Sequence, residues 1–308
     1  MLERAVRQAL TLTLSRRERE TGGHHMYIFK AAVVGAGAMG AEIAQVISSS
    51  GLPVVLKDID QQLVDKGVKR IERIYLERVN RGKMTAQEMR NKMDLVMPTT
   101  SYDDFADVDF AIEAVPEDMG IKKAVFAEMD KACPDSAILA SNTSALSISE
   151  MASATGRPDK VVGFHFFNPA SVMKLVEIIP AQDTSEDTVV TAMEFAQSLR
   201  KIPVRVKECP GFLVNRILAA GLVELLRFYE QSGTSPEEID ITLREAAGLP
   251  MGPFLLADML GLDVVYDVNR TLEAAYGDRF RVSKTLADLV EAKHLGVKTG
   301  QGFYKHTQ

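Results

Sequence analysis

Short apolar runs alternate with amphipathic segments over about the first two thirds of the chain. Because strands that alternate with helices form a largely parallel sheet with helices on both faces, this order predicts a Rossmann-like, doubly wound α/β domain. The predicted strands are 30–34, 53–56, 95–98, 110–114, 137–140, 161–165, 174–179 and 204–206. The predicted helices are 41–50, 61–79, 85–93, 118–132 and 186–199.

From Pro210 onward the strand pattern stops and only helical periodicity remains. A separate all-helical domain is therefore predicted for 209–308, after a nucleotide-binding domain over 26–208. Its helices carry more apolar surface than about 100 residues bury alone, and two-fold pairs are the commonest assembly, so we expect a homodimer through this half. The predicted helices are 212–231, 235–246, 252–260, 263–275 and 285–292.

A glycine-rich turn, Gly35-Ala36-Gly37-Ala38-Met39-Gly40, lies between the first strand and the first helix. In such a turn Gly35 permits the sharp bend, Gly37 lets the backbone approach a pyrophosphate, and Gly40 lets helix and strand pack closely. The amino terminus of the following helix then faces the phosphates with its partial positive charge. With a strand before it and a helix after it, the turn predicts a dinucleotide site.

Asp58 follows Gly40 by 18 residues and ends the second predicted strand. A carboxylate there can accept hydrogen bonds from a ribose diol and would repel a 2′-phosphate, so the predicted cofactor is NAD rather than NADP. The alternative is that Asp58 caps the helix that begins at Gln61.

A carboxylate on an otherwise apolar strand face is the strongest catalytic candidate. Alternation places Met173, Leu175, Glu177 and Ile179 on one face, where a carboxylate is costly unless it is paired. His165 ends the preceding strand and is the natural partner. Such a pair suits oxidation of an alcohol, because a neutral imidazole takes the hydroxyl proton while the carboxylate stabilises the imidazolium. The alternative is a hydrogen-bonded structural histidine with a surface glutamate.

Other candidate residues leave alternatives open. Ser144 could be the nucleophile of a Ser–His–Glu hydrolase, but no G-x-S-x-G turn surrounds it. Asn215 lies in the apolar stretch 212–226, where its amide makes either an internal packing bond or a substrate contact. No metal site is predicted, because the remaining histidines lie near the chain ends.

Composition narrows the class of protein. The net charge of −6 argues against a nucleic-acid surface, and no apolar stretch reaches the length of a membrane span. Cys133 and Cys209 form no metal or CxxC pattern, so reduced thiols in a cytoplasmic protein are expected. Residues 1–25 mix arginines with acids, unlike a targeting peptide, and are predicted to be a disordered or non-native appendage.

These blocks together resemble the L-3-hydroxyacyl-CoA dehydrogenase family, especially its short-chain and 3-hydroxybutyryl-CoA members. The resemblance runs from about Lys30 to Lys305. It implies NAD-dependent oxidation of a 3-hydroxyacyl-CoA to the 3-keto form, or the reverse, in a homodimer. The motifs that carry it are VVGAGAMG (33–40), ASNTSAL (140–146), GFHFFNPASVMKLVEI (163–178), CPGFLVNR (209–216), GLPMGPFLLADMLGLD (248–263) and KTGQGFY (298–304).

The resemblance also implies roles for individual residues. His165 and Glu177 match the catalytic pair, with Ser144 and Asn215 at the substrate. The implied NAD contacts are Gly35, Gly37, Ala38, Met39, Gly40, Asp58, Glu117, Lys122, Asn142, Ser144, Asn168 and Lys298.

The CoA contacts depart from the family pattern. Members often carry a serine and a lysine in the helix after the ribose acid, where this chain has Ile74 and Arg81. Arg81 and Lys83, with Arg78, are expected to meet the CoA phosphates, unless they form a solvated helix end. Two other functions stay open: a dehydrogenase of a free hydroxy acid such as gulonate, and a non-catalytic crystallin-like binding protein.

Overall fold

The computed structural model describes residues 26–306, and its largest element is an eight-stranded sheet. The strands are β1 (Ala31–Val34), β2 (Val54–Lys57), β3 (Val96–Thr99), β4 (Phe110–Glu113), β5 (Ile138–Ser141), β6 (Val161–Phe166), β7 (Leu175–Pro180) and β8 (Ile202–Arg205). They lie in the order β3-β2-β1-β4-β5-β6-β7-β8. All neighbouring strands are parallel except β6 and β7, which are antiparallel.

Helices alternate with these strands and then continue alone. The chain divides into two compact units, the first ending at Glu208 and the second beginning at Cys209. The helices of the first unit are α1 (Ala38–Ser49), α2 (Gln61–Asn80), α3 (Ala86–Met93), α4 (Met119–Ala132), α5 (Ile148–Ala152) and α6 (Glu186–Ser198). Those of the second are α7 (Val214–Ser232), α8 (Pro236–Ala247), α9 (Pro253–Leu260), α10 (Leu262–Tyr276) and α11 (Lys284–Glu291). The predicted fold class is confirmed.

The centre of the sheet forms the core of the first unit. Every residue of β1 and β4 is buried, as expected for parallel strands covered on both faces. Phe110 of β4, Phe164 of β6 and Phe195 of α6 contact one another with ring centroids 4.6 to 5.9 Å apart. This aromatic cluster packs α6 against β4 and against β6, the strand that carries His165.

Two buried carboxylates organise the second unit. Asp240 of α8 accepts hydrogen bonds from the backbone N–H groups of Phe254 and Leu255, at the start of α9. Asp258 of α9 accepts them from Phe303 and Tyr304, near the end of the chain. Each carboxylate therefore joins its own helix to a segment that is distant in sequence.

The structure differs from the predicted elements in a few places. Helix α5 was not predicted, because five residues are too short to show helical periodicity. Helix α7 begins at Val214 rather than 212, since Gly211 and Phe212 have positive φ angles of 74° and 47°. The predicted appendage, residues 1–25, lies outside the described residues.

The glycine-rich turn is shaped by two close approaches. Gly35 has a φ of 106°, and a Cβ there would lie 2.5 Å from the carbonyl oxygen of Ala114. A Cβ on Gly40 would lie 1.8 Å from the carbonyl oxygen of Gly35, so the helix start and the turn pack too closely for a side chain. A Cβ on Gly37, in contrast, would meet nothing within 4 Å.

The crowded position at Gly40 and the open position at Gly37 predict different effects of substitution, one on stability and the other on cofactor binding. Replacing Gly40 by alanine should destabilise the protein by about 1–3 kcal/mol, the usual range for overpacking. Gly37→Ala is the matched control: its φ of −64° suits alanine, so stability should be kept. Its methyl group should nevertheless weaken NADH binding by blocking backbone approach to the pyrophosphate. Denaturant unfolding and NADH fluorescence titration measure the two effects, and an equally stable Gly40→Ala protein would contradict this account.

Candidate active site

The amino terminus of α1 is open to an anion. Gly37 occupies the N-cap position with no side-chain cap, and the first turn, beginning Ala38-Met39-Gly40, contains no acidic residue. The first backbone N–H groups of a helix have no partner within it, so they are available to phosphate oxygens. The open space beside Gly37 completes a cradle that fits the pyrophosphate of a dinucleotide.

Asp58 lies beside this turn at the carboxyl end of β2. Its Oδ2 accepts a hydrogen bond of 2.6 Å from the N–H of Ala36, and its Oδ1 accepts one of 2.7 Å from that of Ile59. The N-cap of α2 is Asp60, which accepts from Leu63. Asp58 is therefore not the cap of this helix, and its ribose contact stays a prediction.

His165 and Glu177 face each other across the antiparallel pair β6–β7. They are directly opposite in register, and the Nδ1 of His165 lies 2.8 Å from an Oε of Glu177. The Oγ of Ser144 lies 3.1 Å from the other ring nitrogen, Nε2. The histidine is 4% exposed and the glutamate 0%, so the pair is shielded from water. The structure thus brings together three of the four predicted catalytic residues.

This arrangement can move a proton. The carboxylate of Glu177 accepts the Nδ1 proton of a neutral imidazole, which leaves the Nε2 of His165 as an acceptor. That nitrogen, 3.1 Å from the hydroxyl of Ser144, can take a proton from a hydroxyl that lies beside both groups. The same carboxylate stabilises the imidazolium that results.

The loop after β5 is surrounded by three residues that are expected to contact NAD, namely Glu117, Lys122 and Asn142, and the structure shows them bonded within the protein. Lys122 is 1% exposed, with its Nζ 2.7 Å from Glu113 and 3.2 Å from Glu117. Asn142 accepts a 2.9 Å hydrogen bond from the N–H of Phe166, which joins the ends of β5 and β6. The NAD contacts of Glu117, Lys122 and Asn142 stay predictions.

The connection between β6 and β7 carries Asn168, which is exposed. The ammonium of Lys201 donates to the carbonyl oxygens of Ala170 and Met173 and so fixes this connection. Burial lowers the pKa of Lys201, an effect that the nearby carboxylate of Glu42 opposes. Lys201 and Glu42 are both buried and were not predicted from the sequence, because their burial is visible only in the folded chain.

Two predicted residues belong to the second unit. Asn215 is the second residue of α7 and is half-buried, so it lies in the first helical turn rather than inside an apolar helix. Lys298 forms an ion pair with both carboxylate oxygens of Asp263. Their predicted roles at the substrate and at NAD stay untested.

The proposed CoA-binding residues lie at the end of α2. Arg81 is its C-cap and is exposed, with a guanidinium nitrogen 3.9 Å from Glu77. Lys83 is exposed as well. Both cations are accessible to phosphates, and the solvated helix end remains the alternative.

Neither a membrane-spanning helix nor a metal-binding cluster is found among the described residues. Within residues 26–306, no helix is long and apolar enough to cross a membrane. The same residues contain no cluster of three or more histidine, cysteine, aspartate or glutamate side chains that could hold a metal ion.

Comparison with known proteins gives matches over nearly the whole described chain. A 3-hydroxybutyryl-CoA dehydrogenase of Clostridioides difficile is 44% identical over 280 residues, which cover 91% of this chain and 100% of that protein. The fatty acid oxidation complex subunit alpha of Psychrobacter arcticus is 41% identical, and the match covers 91% of this chain but 39% of that subunit. The crystal structure of an (S)-3-hydroxybutyryl-CoA dehydrogenase from Ralstonia eutropha has a TM-score of 0.88 at 37% identity, covering 92% and 100% of the two chains.

Two family models match in succession. The model of the 3-hydroxyacyl-CoA dehydrogenase NAD binding domain matches residues 30–209, and that of the 3-hydroxyacyl-CoA dehydrogenase C-terminal domain matches 211–306. The predicted cofactor, NAD, and the predicted enzyme class, an oxidoreductase, are confirmed by these matches. The chain belongs to the 3-hydroxyacyl-CoA dehydrogenase family, as its motifs predict.

Proposed function

We propose that this chain oxidises the 3-hydroxyl of (S)-3-hydroxyacyl-CoA to the 3-keto form, and catalyses the reverse reduction, with short-chain substrates such as 3-hydroxybutyryl-CoA. The observation that carries the proposal is the hydrogen-bonded series Ser144, His165 and Glu177. The strands β6 and β7, which carry the histidine and the glutamate, belong to the same sheet as β1, which leads into the glycine-rich turn. The names of the matched relatives support the thioester substrate.

Each residue of the site has a separate role in the reaction. Bound NAD supplies the hydride acceptor. His165 takes the hydroxyl proton through Nε2 as the hydride leaves carbon 3, and returns it in the reduction. Glu177 keeps the opposite proton on Nδ1 and stabilises the charged ring. Ser144 donates to the substrate oxygen, and we assign Asn215 to the substrate on the family motif alone.

The substrate test is a spectrophotometric NADH assay with acetoacetyl-CoA, longer 3-ketoacyl-CoAs and free 3-keto acids. We expect turnover of the CoA thioesters, fastest for the short ones. Turnover of a free acid with none of the thioester would support the hydroxy-acid alternative instead. The hydrogen-bonded series Ser144, His165 and Glu177 argues against a non-catalytic, crystallin-like function. Inactivity with every substrate would support that alternative instead.

We also propose a cytoplasmic location and a homodimer. Both cysteines are free thiols, and burial raises the pKa of Cys133 to about 12, as suits a reduced structural thiol. The second unit exposes large apolar side chains, which commonly mark interfaces. Those exposed by half or more are Ile217, Leu218, Phe228, Met259, Leu260 and Val264.

The catalytic roles predict distinct kinetic effects. His165→Gln should lower kcat by ~10²–10⁴, the usual contribution of a positioned acid–base group, with NADH affinity unchanged. Glu177→Gln should lower kcat as well, since an amide cannot stabilise an imidazolium. His306→Gln is a matched control, because His306 pairs with Asp258 at 2.8 Å in the second unit. Steady-state kinetics and NADH titration measure these effects, and an unchanged kcat in His165→Gln would exclude the assignment.

Asp58 predicts the choice of cofactor. A 2′-phosphate beside its carboxylate would place like charges together, which costs several kcal/mol, so NADH should be preferred by about a hundredfold or more in kcat/KM. Asp58→Ala should reduce this preference. Asp60→Ala is the control, because Asp60 only caps α2. Equal kcat/KM for NADH and NADPH in the unmutated protein would be evidence against the ribose contact.

The dimer predicts a measurable mass. Light scattering at micromolar concentration should give about twice the chain mass of 33.8 kDa. Ile217→Asp should shift the protein toward monomer, because this side chain is 62% exposed on α7 and a charge would oppose burial. Ile202→Asp, at a side chain 58% exposed in the first unit, is the control and should leave the mass unchanged. A monomer in the unmutated protein would contradict the proposal.

A further inference from the structure

Glu113 is a fully buried carboxylate with no role in the chemistry described so far. It ends β4 and is 0% exposed. Its Oε1 accepts hydrogen bonds of 2.7 Å from the ammonium of Lys122 and from the N–H of Val115. Its Oε2 accepts one of 2.6 Å from the hydroxyl of Ser141. With three donors around it and no exposed surface, Glu113 acts on other residues rather than on a ligand.

Ser141 connects Glu113 to the loop that follows β5, because its hydroxyl hydrogen-bonds to both. Glu113 and Ser141 are partners in register across the parallel pair β4–β5. Because the hydroxyl proton of Ser141 is committed to Glu113, its lone pairs are directed elsewhere, and one accepts the N–H of Thr143 at 3.1 Å. Without Glu113 the hydroxyl could rotate, and this orientation would be lost.

Lys122 connects Glu113 to the same loop through a second set of contacts. Its Nζ also lies 3.2 Å from Glu117. Glu117 in turn accepts hydrogen bonds from the hydroxyl of Thr143 and, at 3.0 Å, from the N–H of Ser144. The loop is therefore fixed at Thr143 from two directions, and at Ser144 through its backbone.

The fixed loop ends at the reacting groups, since the Oγ of Ser144 lies 3.1 Å from the Nε2 of His165. We propose that Glu113 is a positioning residue: through Ser141 and Lys122 it holds the loop 141–144 so that the Ser144 hydroxyl and His165 converge on one substrate oxygen. This inference rests on the proposed function for its kinetic part. Its geometric part, the Ser144–His165 distance, does not depend on the reaction.

Ser141→Ala is the sharpest variant, because it removes one hydroxyl and leaves the Glu113–Lys122 pair intact. A displacement of about 1 Å in a reacting group can lower the rate by ~10²-fold, so we expect kcat to fall by ~10- to 100-fold. NADH affinity should fall by less than kcat, because Asn142 and Ser144 of this loop are only two of the expected NAD contacts. The isotope effect on kcat with deuterated NADH should increase, because hydride transfer becomes more fully rate-limiting.

Ser147→Ala is the matched control. Its hydroxyl also donates to a glutamate, Glu208, at 2.7 Å, and it caps α5. Losing a cap should lower the unfolding temperature while kcat stays the same. A loss of stability alone therefore cannot produce the effect expected for Ser141→Ala.

A double-mutant cycle tests whether the effect acts through Ser144. If it does, Ser141→Ala should lower kcat in the unmutated protein but cause no further loss in Ser144→Ala. Glu113→Gln should show the same non-additivity, and it should fold because Lys122 keeps Glu117 as a counter-charge. Losses that multiply in both cycles would overturn the proposal.

Crystal structures of the two variants supply a readout that needs no activity. In Ser141→Ala the Ser144–His165 distance should exceed hydrogen-bond length, whereas Ser147→Ala should keep it. An unchanged distance in Ser141→Ala would overturn the inference even in an active enzyme. If the unmutated protein reduces no 3-ketoacyl-CoA, the proposed function fails, and this distance still decides the positioning role.

Discussion

Glu177 lies opposite His165 in the one antiparallel pair of the described sheet, and a carboxylate that is 0% exposed is tolerated there because the imidazole faces it at 2.8 Å. Removing the hydrogen-bond partner of a buried polar group commonly costs about 1–3 kcal/mol, and more when that group is charged. The reversal of chain direction between β6 and β7 is therefore part of the site. A parallel crossover would interpose a helix, whereas the connection 167–174 brings into register two residues that are 12 positions apart in sequence.

The parallel strands of the sheet position the glycine-rich turn, Glu113 and Ser141 through the alignment of their carboxyl ends. The carboxyl ends of parallel strands meet at the same edge, so residues far apart in sequence become neighbours. Gly35 follows β1, Glu113 ends β4 and Ser141 ends β5, next to the strand of His165. The glycine-rich turn, Glu113 with its hydrogen-bonded partners, and His165 thus share one sheet edge within the first unit.

Much of this organisation could be predicted from the sequence, because it depends on local patterns. Strand and helix periodicity gave the fold class, and the spacing of Gly40 and Asp58 gave the cofactor. The pair of His165 and Glu177 could be proposed because a carboxylate interrupted an apolar strand face. The bonds that join Glu113 to Ser141 and Lys201 to Ala170 could not, since they require the register of strands and the directions of side chains.

A signal for these missed residues was nevertheless present. The buried face of α4 consists of Lys122, Phe126 and Met129, which follow helical spacing. The lysine therefore occupies a position where an amphipathic helix normally has an apolar side chain. Glu113 is likewise a carboxylate in an apolar strand, at its last residue. A charged residue at a buried-face position implies a buried partner that carries the opposite charge or hydrogen-bonds to it, because a buried charge is not stable alone. The spacing of buried positions in a helix or strand therefore shows which charged residues need a partner. Only the folded structure shows that Lys122 and Glu113 are partners of each other.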